Sequence, residues 1–221
     1  MSTARAARSP AVPGTGRPAR RSRRERTADS RQLILDATLD CLFEYGYAHT
    51  TTLTIQARAG VSRGRLLHHF PSREELLVAA CQHLVSTHLA ELHQQWAALA
   101  PVLDSSPADR LGRAIDQLWA AFAERYFWGS MELWTAARTD PGLRNALRPH
   151  ERQLGLAVHR IVDAVFGPGF VGHPRYPMVR EVLFTSMRGV ALTYAFDQAR
   201  DRTRDPHLAM WRATAARLLT E

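Results

Sequence analysis

Between Thr50 and Leu77 the chain reads TTTLTIQARAGVSRGRLLHHFPSREELL, and no other stretch limits the possible folds as tightly. The pattern predicts one short helix from Thr52 to Ala59 and a second from Arg63 to Phe70. Gly60 permits a tight turn between them, Ser62 caps the second helix, and Pro71 stops it. Helices below ~12–15 residues do not persist alone in water, so both must pack on neighbours. The second helix carries Arg63, Arg65, His68 and His69 on a small length of backbone. A cation-bearing helix held by a glycine turn against another helix has the shape that the DNA major groove accepts. Arg63 and Arg65 are the candidates for reading base edges, since a guanidinium matches the O6/N7 edge of guanine with two donors. A solvated or phosphate-bound cation is the other reading of each. His68 and His69 either touch DNA or pack against Phe70 and the preceding helix. Thr52 either bonds a phosphate at the start of its helix or caps that helix.

The rest of the chain reads as helical throughout, with no sustained alternation of apolar and polar residues, so the expected class is all-α with about nine helices. The first is expected from Asp29 or Ser30 to Gly46, with Ile34, Ala37, Cys41 and Tyr45 at helical spacing. Ser72 to Glu75 reads as a capping box opening a long helix to about Leu99. Ser106-Pro107, Asp140-Pro141 and Asp205-Pro206 repeat one start signal, a capping side chain followed by proline. Gly129 to Arg138 reads as a short helix. Residues 167–177, with three glycines and three prolines, read as a loop. Helices from Met178 to Arg200 and from Asp205 to Leu219 complete the order.

Charge is distributed unevenly. The formal net charge is +8, and residues 1–28 hold eight arginines against Glu25. Their composition predicts an arm that is disordered when free, either a solvated leader or a segment that follows phosphates or enters the minor groove. All basic residues are arginine, as a GC-rich genome favours. Cys41 and Cys81 sit in apolar helical patterns, which suits a reducing compartment more than a disulfide framework. No run of ~18 apolar residues occurs, and the arginine pairs near residue 20 lack the apolar stretch of an export signal. A cytoplasmic, nucleoid-associated location is expected, with no membrane partner.

Residues 30–77 resemble the DNA-binding region of the TetR family of transcriptional regulators. The resemblance rests on Ile34, Ala37, Phe43, Gly46, Tyr47, Thr51-Thr52, Ile55, Ala59-Gly60-Val61-Ser62, Gly64, Leu66, His69-Phe70, Ser72 and Glu75-Leu76-Leu77, in order and without a gap. It implies an N-terminal three-helix helix-turn-helix domain over 29–75, and a larger helical bundle over 76–221 for ligand binding and dimerisation. The chain departs from the family at Leu67, where a tyrosine is usual, at Gln56, where alanine is usual, and at Arg73, where lysine is usual. Arg73 is expected to grip a phosphate with two donors.

Further expectations follow from the resemblance. The partners are a palindromic double-stranded operator, a small-molecule effector and a second copy of the chain. The last two long helices should form the dimer contact, through Val182, Ser186, Gly189 and Thr193 and through Leu208, Trp211 and Ala215; an ordinary core stripe is the other reading. Trp96, Trp119, Phe122, Tyr126, Trp128, Met131 and Trp134 either line a pocket for an apolar or aromatic ligand or fill the core. Glu132, Arg138 and His150 are candidate polar anchors. Bound ligand would tilt the long fourth helix and release DNA, so a repressor is expected.

No catalytic, metal or cofactor residues are expected. The chain lacks the paired Glu-x-x-His segments of di-iron bundles, and His83, His88 and His93 are spaced by five and do not share a helix face. No phosphate loop or nucleophile motif appears. The alternative to an effector-controlled repressor is an architectural or ligand-independent DNA binder acting through its basic arm.

Overall fold

The computed structural model describes residues 23–103, 106–197 and 200–220, with the side chains of 23–26, 88–90, 92–103 and 107–108 outside that description. The described residues form ten α-helices, a 3-10 turn and no strand. They are α1 (Arg23–His49), α2 (Thr52–Ala59), α3 (Arg63–His69), α4 (Arg73–Leu103) and α5 (Pro107–Ala121). The series continues with α6 (Arg125–Ala137), α7 (Pro141–Phe166), α8 (Pro168–Val171), α9 (Tyr176–Thr193) and α10 (Pro206–Thr220), with the 3-10 turn at Arg202–Arg204.

The cap-then-proline signals open helices as their chemistry requires. Ser106 Oγ accepts from the Asp109 N–H at 3.1 Å, and Asp140 Oδ1 accepts from the Leu143 N–H at 3.0 Å. Asp205 Oδ1 accepts from the His207 N–H at 2.8 Å. Only half of the expected box at Ser72 forms, since Ser72 Oγ accepts from the Glu75 N–H at 3.1 Å. The reciprocal box is instead at Thr51 and Thr54, each side chain accepting from the other's backbone N–H.

Several expected boundaries are corrected. Residues 23–28 of the arm are not disordered; they begin α1, because Arg23-Arg24-Glu25-Arg26 are good helix formers beyond the last proline of the arm. The arm before residue 23 lies outside the described residues. The glycine- and proline-rich segment after α7 contains a turn of helix, α8, opened by Pro168 and anchored by buried Phe170. Gly167 makes that entry with φ at 84°, and a Cβ there would collide with the Arg110 guanidinium. The helix expected from Gly129 begins at Arg125. The one expected to reach Arg200 ends at Thr193, where buried Tyr194 turns the chain and donates to buried Asp205 at 2.5 Å.

Two apolar clusters hold these elements. The first gathers α1, α2, α3 and the start of α4, through fully buried Ile34, Leu35, Ile55, Leu66, Leu76 and Leu77. Burial of each such side chain contributes about 1.5–3 kcal/mol. The short helices do not close this cluster alone, since Leu133 and Ala137 of α6 and Leu143 and Leu147 of α7 belong to it. The second cluster joins α5, the end of α7, α8, α9 and α10 around Ile115, Phe166, Met187 and Trp211. α7 therefore serves both clusters, and Pro149 interrupts its hydrogen bonding between the two halves.

Candidate nucleic-acid interface and interior cavity

The outer surface is built by α2 and α3. Gly60, at φ 63°, ends α2 and turns the chain, and Ser62 Oγ caps α3 by accepting from the Arg65 N–H at 3.3 Å. Leu66 is the buried anchor of α3, and Phe70 closes its end. With Leu66 inward, Arg63, Gly64, Arg65, Leu67 and His68 are left exposed. Neither Arg63 nor Arg65 bonds through its side chain to a described residue, so both guanidinium groups keep their donors for solvent or a partner. The two histidines separate. His68 is exposed, while His69 is half-buried with its ring 6.2 Å from that of Phe70. Burial, and then the charges of His68, Arg31 and Arg65, push the His69 pKa below the usual histidine value. Thr51 takes the capping role of α2, and half-buried Thr52 makes no side-chain hydrogen bond to a described residue.

Arg73 is corrected in role. It faces inward, with Nε donating to the Thr50 carbonyl at 2.6 Å and one terminal nitrogen to the Tyr47 carbonyl. Its guanidinium lies over the Tyr47 ring at 4.1 Å. These bonds staple the start of α4 to the segment before α2, so the side chain braces the surface and does not extend from it. Leu67 is 43% exposed and offers no donor.

Inside the second cluster lies a cavity of about 930 Å³ between α5, α6, α7 and α9, with Val85 of α4 at one wall. Phe122, Tyr126, Met131 and Trp134 line it. Trp119 and Trp128 do not, which corrects two expected pocket residues. Trp119 is buried with Tyr194 and Trp211, and its Nε1 donates to the Arg202 carbonyl at 2.9 Å. Arg202 lies over the Trp119, Trp128 and Tyr194 rings, so the Trp119 indole packs at the α5–α10 junction and Trp128 of α6 borders the same guanidinium. The Trp96 side chain lies outside the described residues. Glu132 and Arg138 do not line the cavity, and His150 lines only a small side pocket of about 30 Å³.

Sequence reading missed the walls contributed by α7 and α9, among them Glu151, Val158, Val162, Phe184 and Arg188. Apolar residues at helical spacing on α7 carry no mark that separates a cavity wall from packed core. Asp163 fixes these two walls together, accepting from Tyr176 Oη at 2.8 Å and from Arg180 Nη1 at 2.7 Å.

The expected dimer residues divide. Val182, Gly189 and Thr193 are exposed and Ser186 is half-buried. Leu208, Trp211 and Ala215 are buried within the chain itself, which corrects the α10 half of the expected contact. Their spacing marks the inner face of α10, where Trp211 Nε1 donates to Ser186 Oγ at 3.0 Å. Among the described residues no metal-binding cluster occurs, and no helix is long and apolar enough to cross a membrane.

A family model described as bacterial regulatory proteins, tetR family, matches residues 34–80. The chain is 27% identical over 185 residues to the transcriptional regulator CymR of Pseudomonas putida, covering 84% of this chain and 89% of that one. It is 32% identical over 130 residues to the transcriptional repressor AcnR of Corynebacterium diphtheriae, covering 58% of this chain and 60% of that one. The fold is shared with the multidrug binding protein EbrR complexed with ethidium, at a TM-score of 0.59 and 23% identity over 86% of this chain and 98% of that one.

Proposed function

Because the chain belongs to the TetR family of bacterial regulatory proteins, we propose that it is a sequence-specific DNA-binding transcriptional regulator, a repressor released by a small, largely apolar or aromatic ligand. The observation that carries the reading is the outward face of α3, where Arg63 and Arg65 are exposed above the buried Leu66 anchor and their side chains bond to no described residue. Two such guanidinium groups on a helix of groove size read guanine edges, each good pair contributing ~1–3 kcal/mol of discrimination. His68, Thr52 and the arginines of the arm contact phosphates or neighbouring bases.

One α3 reads few base pairs, so the functional unit is a homodimer with two α3 helices about one DNA turn apart, ~34–36 Å. Its contact is the outer face of α9. Met178, Val182, Thr185, Gly189 and Leu192 follow alternating four- and three-residue steps there, Phe196 lies in the turn just past the helix end, and all six are exposed. Phe196 alone is 95% exposed.

The cavity between α5, α6, α7 and α9 holds the effector. EbrR, of the same fold, is a multidrug binding protein complexed with ethidium. α4 runs from the cavity wall at Val85 into the first cluster at Leu76 and Leu77, and α7 spans both clusters. A ligand that shifts either helix changes the spacing of the paired α3 helices. A coupling of ~1–3 kcal/mol corresponds to about a 5- to 150-fold change in operator affinity.

Selection of bound sites from random duplex DNA, followed by footprinting, tests this. A palindrome with half-sites one turn apart is expected. Protection that depends only on residues 1–28 and shows no sequence preference would favour the architectural alternative. An effector that tightens operator binding would reverse the sign of the regulation.

A further inference from the structure

The cavity presents its charges unequally. Asp116 is ion-paired with Arg212, whose Nε donates at 3.0 Å, and Glu124 and Glu181 are exposed and solvated. Arg188, in contrast, is half-buried in the α9 wall. It makes no ion pair and donates no hydrogen bond to any described residue. Among the described residues it meets aromatic rings instead: the guanidinium lies 5.5 Å from the Trp134 ring centroid and 5.8 Å from that of Phe184. Both rings also line the cavity.

We infer that the cavity takes a small carboxylic acid with an apolar or aromatic body, and that Arg188 binds its carboxylate. The inference rests on the cavity being the effector site. The two rings hold the planar fork in place, so little side-chain freedom remains to be lost when an anion docks. A guanidinium withdrawn from bulk water attracts an anion more strongly than an exposed one. The fork geometry selects a carboxylate over a single-point acceptor such as an amide oxygen. The apolar walls given by Phe122, Met131 and Val158 accommodate the body. Glu151, half-buried in the α7 wall, is the one acid that favours the opposite charge, and no aromatic contact orients it.

Calorimetric titration of the full chain with 2-naphthoate, 2-naphthamide, 2-naphthylmethylamine and decanoate separates these chemistries. At least one acid should bind, and naphthoate should bind about tenfold or more tightly than naphthamide if the aromatic body fits. Arg188→Gln should remove the preference for acid and leave amide binding within about twofold, while Arg188→Lys should retain part of it. Equal binding of acid and amide, a preference that survives Arg188→Gln, or selection of the amine overturns the inference. If Arg188→Gln does not fold by circular dichroism, the wild-type comparison of acid with amide decides. Binding of the amide or amine without acid preference sinks the carboxylate assignment alone, whereas binding of no probe at all sinks the effector cavity with it.

Discussion

Tyr47 Oη donates a hydrogen bond to Asp140 Oδ2 at 2.5 Å, joining the end of α1 to the N-cap of α7. The pair is 93 residues apart in sequence. Asp140 uses its other oxygen to cap α7, and Arg73 lies over the Tyr47 ring while bonding the carbonyls of Tyr47 and Thr50. The start of α7, the start of α4 and the segment before α2 therefore meet at one tyrosine. α7 is thus tied to the helix-turn-helix unit here as well as through its packing on α4.

Tyr47→Phe keeps the ring under Arg73 and removes only the donor. A loss of about 0.5–1.5 kcal/mol in urea unfolding is expected. Asp140→Asn should be coupled to it, so the double variant should lose less than the two single losses together. Full additivity in that cycle would show that the bond contributes nothing.

Alkaline pH should weaken the fold through the buried tyrosines. Burial, then the bond to Asp140, raises the Tyr47 pKa from about 10 to about 12. Burial, then the bond to Asp205, does the same for Tyr194. A group whose folded pKa is raised favours folding fully below its unfolded value, and that favour is lost as pH rises through the folded one. Stability should therefore fall between about pH 10 and pH 12. The fall should be shallower in Tyr47→Phe, and denaturant midpoints measured across that range check it.

The arginines around α3 should divide by function. Arg63→Ala and Arg65→Ala should each weaken binding to the selected operator by about tenfold or more, with unfolding midpoints unchanged. Arg73→Ala should instead lower stability by about 1–3 kcal/mol, because two backbone carbonyls lose their donor. Fluorescence anisotropy on operator DNA, paired with thermal melts, separates the two classes. Unchanged operator affinity in the Arg63→Ala, Arg65→Ala double variant would remove α3 as the reading helix.

The α9 and α10 stripes should also part. Val182→Glu places a charge on the exposed face and should shift sedimentation from dimer toward monomer while the chain stays folded. Trp211→Ala opens the second cluster and should cost about 3–5 kcal/mol at any concentration. A Val182→Glu chain that remains dimeric would move the contact elsewhere.

The two groups of tryptophans should respond differently to ligand. Trp119→Phe should lower stability through the lost bond to the Arg202 carbonyl and leave effector affinity unchanged. Trp134→Ala should alter effector affinity with a smaller effect on the melt, since Trp134 lines the cavity and is 42% exposed. Equal effects of both on affinity would contradict the placement of Trp119 outside the cavity.

The sequence by itself determined the local structure. Gly60, Ser62 and Pro71 dictate the α2–turn–α3 unit, and the cap-then-proline pairs dictate where α5, α7 and α10 begin. Those signals act within a few residues, through backbone dihedrals and cap hydrogen bonds. Tertiary structure decided which face of each helix is core, cavity or surface. Trp119 and Trp134 have the same side chain, yet one packs at the α5–α10 junction and the other opens onto the cavity. Leu208 and Val182 both lie on helical apolar stripes, yet only the second is exposed. Arg73 and Arg63 carry the same charge, but only Arg73 finds the Tyr47 and Thr50 carbonyls within reach. Helical spacing states that residues share a face, and the packing of distant elements states what that face meets.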